Sequence, residues 1–199
     1  MPLENSPQLI AGIDVAFAEK GQWTKAAIVV VKYPDLTITE TALAVIPTVF
    51  PYRSGYLSFR EIPAILPAWQ QLNCSPDLIL CDGQGIAHPR RFGLACHLGV
   101  LLNTPSIGVA KSRLIGQHDL LPETKGSWVP VWHQEEQLGY VLRSRTGVKP
   151  LYISVGHCIT LPEAKTWVMN LLTRYRLPLV THEADKLSKR PLEVFPRFP

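Results

Sequence analysis

A chain of 199 residues, 46% hydrophobic and 18% charged, has enough apolar sequence to close a sizeable core and gives no sign of disorder or internal repeats. Its formal charge of +4 permits a polyanionic partner without demanding one. Cys74, Cys81, Cys96 and Cys158 show no C-x-x-C spacing, which argues against a zinc knot or a disulfide framework and for a reduced, cytoplasmic setting.

The first three elements read as strands. LIAGIDVAF, KAAIVVVKY and TITETALAVI follow one another with short links, the second made by Tyr33-Pro34-Asp35-Leu36, and predict an antiparallel meander. From Gly55 to Leu72, Phe59, Ile62, Leu66 and Trp69 recur at helical spacing. Leu78 to Cys81 is a short buried strand, and Asp82 sits at its end before a turn that Gly83 and Gly85 allow. A helix marked by Leu94, Leu98 and Leu101 follows His88-Pro89, and Pro105 to Ala110 forms another strand. Leu114 to Ser127 is polar and turn-rich. Trp128 to Trp132 and Leu138 to Arg143 predict a hairpin, Leu151 to Val155 a strand, and Thr160 to Arg176 a helix opened by a T-x-x-E capping box of Thr160 and Glu163. The Pro-rich segment after Leu187 reads as loose surface or as an edge covered by a partner.

The order β-β-β-α-β-α-β predicts an α/β fold, a ribonuclease H-like mixed sheet flanked by helices, in one domain over residues 1–199. The opening MPLENSPQ lacks a basic and an apolar segment, and no apolar run nears the roughly 18 residues of a membrane span. Neither export nor membrane insertion is expected.

Several charges stand where a core would not want them. Asp14 interrupts the strand IAGIDVAF on the face opposite Ile13, Val15 and Phe17. An ionised carboxylate there needs a cation, either a metal or a lysine such as Lys111, unless that face is solvated. Glu61 falls in the otherwise apolar row Leu57, Glu61, Ile65, so its charge points toward packed structure if the helix begins early. Alternatively Ser58 and Glu61 form an S-x-x-E capping box, which would leave Pro63 inside the helix at the loss of a hydrogen bond. Asp82 either bonds the amides of its own DG turn or faces a site at the strand end, where α/β folds bind ligands. His157, in SVGHCIT, reads as a loop residue able to turn toward such a site, and His88 as an anchor of the turn GIAHPRR. GVAKS at Gly108 to Ser112 ends like a phosphate loop but lacks the glycine before Lys111 and the one five residues earlier. Three carboxylates and an imidazole at element ends suit a hard divalent cation, Mg²⁺ or Mn²⁺, and phosphate chemistry.

AGIDVAF, PYRSGYLSFRE, DGQGIAHPRRFGLACHLG, IGVAKS and YISVGHCI, in this order, resemble the signature blocks of endonuclease V, with the likeness running from Leu9 to Asp185. The resemblance implies a ribonuclease H-like, metal-dependent nuclease acting at deaminated purines. It would recognise deoxyinosine in DNA, or inosine in RNA, and hydrolyse the second phosphodiester bond on the 3′ side. It implies Asp14, Glu61, Asp82 and His157 as metal ligands, with Mg²⁺ as cofactor and Mn²⁺ as substitute, and Lys111 as a catalytic, positively charged residue near the cleaved phosphate. Tyr52 matches the aromatic of a strand-separating wedge, and Gly55, Leu57, Gly83 and Gly85 match backbone contacts to hypoxanthine, with His88 beside them at the substrate. Departures are visible: the wedge tetrapeptide is PYRS, Val155 stands where other members have proline, and Ser112 takes a position that is acidic in some. Asp185, in the stretch His182 to Asp185, is expected to orient His157. A monomer is expected. A binding module that recognises structure with weak cleavage, and a general structure-specific nuclease, are the rival readings, separable by comparing inosine with guanosine substrates.

Overall fold

The computed structural model describes residues 2–198, so the two end residues of the expected 1–199 domain lie outside it. Eight strands form one mixed sheet: β1 (Leu9–Ala18), β2 (Trp23–Lys32), β3 (Thr37–Pro47), β4 (Leu78–Cys81), β5 (Ser106–Ala110), β6 (Trp128–His133), β7 (Glu136–Leu142) and β8 (Leu151–His157). Their order across the sheet is β3-β2-β1-β4-β5-β8-β7-β6. The first three make the expected antiparallel meander. β4 and β5 then join β1 in parallel, and β8, β7 and β6 complete the sheet antiparallel. β2 reads as a continuous run of Ala, Ile and Val because both of its faces are covered.

Four α-helices supply the cover: α1 (Leu57–Trp69), α2 (Leu94–Leu102), α3 (Leu161–Asn170) and α4 (Leu179–Ser188). α1 and α2 pack Ile62, Ile65, Leu94 and Leu98 against Ile13, Ile28 and Ile79 on one face. α3 and α4 pack Trp167, Val168, Val180 and Ala184 against Ile10, Leu80 and Val109 on the other. The capping box of Thr160 and Glu163 opens α3 as its sequence predicts.

Two expectations need correction, and one open alternative is decided. The helix expected from Thr160 to Arg176 stops at Asn170, and a separate helix, α4, follows. α4 was not foreseen because its face toward the sheet is made of the modest residues Val180, Thr181, Ala184 and Ser188. It lies so close to β1 that a β-carbon on Gly12 would come within 2.2 Å of the Val180 backbone, so this strand position requires glycine. The box of Ser58 and Glu61 does not form: α1 starts one residue earlier, no side chain caps it, and Pro63 and Pro67 both lie inside it. Nor is the segment after Leu187 loose. Lys25 Nζ donates to the Arg190 carbonyl at 2.7 Å, Phe195 is buried, and Phe198 N donates to the Val45 carbonyl at 2.9 Å, so the chain covers the edge of β3 itself.

Candidate active site

β1, β4 and β5 run in parallel, so their carboxyl ends open on the same rim of the sheet. Each delivers a charged residue there: Asp14 in the middle of β1, one residue past its last partner in β4, Asp82 directly after β4 and Lys111 directly after β5. Asp14 alternates with Ile13, which packs under α1, and therefore faces α4. Ser188, the last residue of α4, donates its hydroxyl to Asp14. One turn earlier on the same helix, Asp185 reaches the same place. Carboxylate oxygens of Asp14, Asp82 and Asp185 all lie within 4.8 Å of one another.

Asp14 is 8% exposed and Glu61 7% exposed, so these carboxylates are held out of water from opposite faces of the sheet. Burial, together with the neighbouring Asp82, pushes Asp14 up to about 7, although the Ser188 hydroxyl and Lys111 act the other way. Burial likewise raises Glu61 to about 8, with the charges of Asp14 and Asp82 adding to it. Glu61 and Asp82 also line one cleft. Lys111 Nζ bonds Asp82 and, at 2.6 Å, Asp185. Burial alone would lower the Lys111 ammonium, but these two carboxylates outweigh it and hold it above its ordinary value. Burial would raise Asp185, and its bonds to Lys111 and Lys189 reverse that. Asp14, Asp82 and Asp185 thus gather hard oxygen donors at one point, which fits a divalent cation of the Mg²⁺, Ca²⁺ or Mn²⁺ kind.

Next to the acids lies a cleft of about 380 Å³. Tyr52, Gly55, Leu57, Glu61, Asp82, Gly83, His88 and Lys111 all line it, so segments up to 59 residues apart in sequence converge. Tyr52 is 71% exposed at the cleft mouth. His88 does anchor its turn: its Nδ1 accepts from Arg90 N at 3.2 Å, while Arg90 Nη1 donates to the Gly55 carbonyl at 3.0 Å. The turns that carry Gly55 and His88 are thereby clamped together. Gly55 has φ +78, a conformation that glycine adopts without strain.

Two expected members do not belong to this arrangement. Gly85 does not line the cleft. It packs under the sheet, its amide donating to Ser154 Oγ at 2.8 Å, where a β-carbon would come within 2.0 Å of the Val155 carbonyl. His157 is not a loop residue but the last residue of β8, paired with Ser106 at the start of β5. Because β8 is antiparallel to β5, its carboxyl end lies at the rim opposite the acids. The imidazole there meets its neighbour, Cys158 Sγ, at 3.2 Å. Asp185 therefore does not orient His157, and it is Asp185 that stands with Asp14 and Asp82. The signal for it was present in the expected C-terminal stretch, but only with α4 in place does its carboxylate reach β1.

The family model of endonuclease V matches residues 2–186 of this chain. An endonuclease V of Trichormus variabilis is 57% identical over 181 residues, covering 91% of this chain and 82% of that protein. The chain belongs to the endonuclease V family. Among solved structures, endonuclease V of Streptomyces avermitilis is 42% identical with a TM-score of 0.88, covering 95% of this chain and 84% of that one. Endonuclease V of Ciona intestinalis, in complex with a 24mer DNA containing an inosine followed by a ribo-adenosine, is 30% identical with a TM-score of 0.82, covering 94% and 87%. A more distant likeness, to the Argonaute of Marinitoga piezophila at 19% identity and a TM-score of 0.55, bears on the fold alone and agrees with the ribonuclease H-like class. The family thus covers all four acids and the cleft. Among the described residues, no helix is long and apolar enough to cross a membrane.

Proposed function

We propose that this endonuclease V family member is a phosphodiester hydrolase that recognises deoxyinosine in DNA and cuts the second bond on its 3′ side, in repair of deaminated adenine. The observation that carries the reading is the juxtaposition of Asp14, Asp82 and Asp185 within 4.8 Å with a cleft of about 380 Å³ at the same strand ends. That volume lies in the range of small-molecule pockets and suits one extruded base.

Asp14, Glu61, Asp82 and Asp185 would hold the cofactor, Mg²⁺ with Mn²⁺ as a substitute. When bound, such an ion lowers the pKa of the attacking water and neutralises charge on the phosphoryl oxygens. The water oxygen joins phosphorus as the bond to the 3′ oxygen breaks, leaving a 3′ hydroxyl and a 5′ phosphate. Lys111, already drawn to the acids, offsets negative charge that develops on the phosphate. Ser188 holds Asp14 in orientation through its hydroxyl. Exposed Tyr52 fills the stack that the base leaves, recovering part of an extrusion cost of a few kcal/mol. Backbone at Gly55, Leu57 and Gly83 reads the base edge, while His88 fixes the turn opposite. The protein acts as one domain and as a monomer.

A cleavage assay tests this directly, with labelled single- and double-stranded oligonucleotides carrying one inosine, guanosine controls and RNA counterparts, each with Mg²⁺ or EDTA. A metal-dependent cut one nucleotide beyond the inosine is expected. Equal cutting of the guanosine controls would replace it with a general nuclease, and binding without a cut with a recognition module.

A further inference from the structure

Asp185 and Ser188 both sit in the last turn of α4, the part of a helix whose carbonyls lack intrahelical partners and which frays most readily. α4 is 10 residues long, no side chain caps its start, and its buried face is small. The placement of so short a helix depends on what ties it down. The residues after it supply a tie. Lys25, on β2 and 6% exposed, donates from Nζ to the Arg190 carbonyl at 2.7 Å, two residues past Ser188. Phe195 is 4% exposed, and the Lys25 ammonium lies over its ring at 5.0 Å. Burial lowers the Lys25 ammonium, while the charge of Glu193 acts the other way. Beyond Phe195, Val45 on β3 donates its N–H to the Pro196 carbonyl at 3.0 Å and accepts from Phe198 N at 2.9 Å, and the Arg197 guanidinium lies over Trp23 at 5.2 Å.

These contacts join the end of α4 to β2 and β3, the two strands of the meander that carry none of the four site acids. A lysine buried on a strand does little for stability that an apolar side chain of the same length would not do better. Its ammonium can, however, bond one particular carbonyl and so fix the position of the segment that carries it. Ser188 gives its hydroxyl to Asp14 and lies 3.1 Å from the Asp185 carbonyl, so a shift of this turn displaces two groups of the site at once. The segment follows residue 186, where the match to the family model stops. We infer that residues 189–198 are a strap that positions Asp185 and Ser188, with Lys25 and Phe195 as its anchors. Docked, it holds the last turn of α4 against β1, where the Asp185 carboxylate meets those of Asp14 and Asp82. Lys25 and Phe195 are positioning residues that act through α4. The inference rests on the reading of the acids as a metal site.

Calorimetric titration of Mn²⁺ into the intact metal-free protein, well below its Tm, provides the test. Lys25→Met keeps the apolar stem and removes the donor. It should leave Tm within about 4 °C of the wild type and yet weaken Mn²⁺ binding by roughly 5- to 20-fold. Phe195→Ala should lower Tm and weaken binding by a similar factor. Leu121→Ala, which empties a buried site beside Val131 and Val141 at the far edge of the sheet, should lower Tm and titrate like the wild type. Combined with Asp185→Asn, Lys25→Met should lose less than the product of the two single losses, because it acts in part through that carboxylate. Losses that multiply in full, an equal loss in Leu121→Ala, or wild-type affinity in both Lys25→Met and Phe195→Ala would overturn the strap. Wild-type affinity in Asp185→Asn would overturn the metal-site reading, whereas a loss there with indifferent strap variants overturns the strap alone.

Discussion

The two rims of the one sheet differ in kind. At the carboxyl ends of β1, β4 and β5, buried carboxylates crowd together, Asp14 and Glu61 are raised to about 7 and about 8, and two lysines lean in. At the opposite rim the His157 imidazole meets the Cys158 thiol, away from the acids. Both rims carry residues capable of chemistry, yet just one gathers side chains from four separate elements. Strand direction decides which: parallel strands deliver their ends to one place, and antiparallel β8 carries its last residue away from it.

Substitutions at the acidic rim should therefore produce the largest effects. Asp82→Ala removes a carboxylate at the centre of the cluster and should lower metal-dependent cleavage by at least roughly 10³-fold, since several kcal/mol of transition-state stabilisation is at stake. Circular dichroism should stay native, because Asp82 follows β4 rather than filling the core. Full activity in that variant would remove Asp82 from the mechanism. Ser188→Ala keeps every carboxylate and deletes the hydroxyl that Asp14 accepts from, so a smaller loss of about 10-fold in Mn²⁺ affinity is expected by calorimetry. An unchanged affinity would leave Ser188 with no part in holding Asp14.

The raised carboxylates also predict how stability depends on pH. In the unfolded chain Asp and Glu give up their protons near pH 4, whereas folded Asp14 and Glu61 keep them to about 7 and about 8. These two groups therefore contribute stability to the metal-free protein that is lost as pH rises from about 4 to about 8, opposite to a carboxylate held in a salt bridge such as Asp185. A divalent cation takes the place of those protons and binds more tightly as pH rises through the same window. Saturating Mg²⁺ should thus raise Tm more at about pH 8.5 than at about pH 6 by thermal denaturation. An equal rise at both values would mean that these groups are already ionised in the metal-free site.

The smallest effect should come from the other rim. His157→Ala should leave cleavage within about two-fold of the wild type, since nothing brings the imidazole to the acids. A loss comparable to that of Asp82→Ala would require a metal site that reaches across the sheet.

Much of this comparison is legible in the residues. A carboxylate inside an apolar strand at Asp14, one inside an apolar helical row at Glu61, and one at the end of LILC are local anomalies that periodicity exposes. The meander, α1 and β4 through β8 follow from equally local patterns. What pattern does not carry is direction. Nothing in SVGHCIT says that its strand runs against β5, so His157 reads as a candidate ligand until the pairing is known. α4 escapes for the converse reason: its buried face is small and weakly apolar, and the signal for its packing is a glycine, Gly12, on a strand 168 residues before Val180. Gly85 shows the same limit, since a glycine needed for close approach to β8 looks in sequence like one that opens a site.

The central claim is that Asp185, and not His157, completes the acidic site. Calorimetric titration of Mn²⁺ into the wild type, Asp185→Asn and His157→Ala tests it without reference to substrate. The account predicts that Asp185→Asn weakens binding by roughly 10- to 100-fold while His157→Ala titrates like the wild type. Weakened binding in His157→Ala with unchanged binding in Asp185→Asn would contradict it.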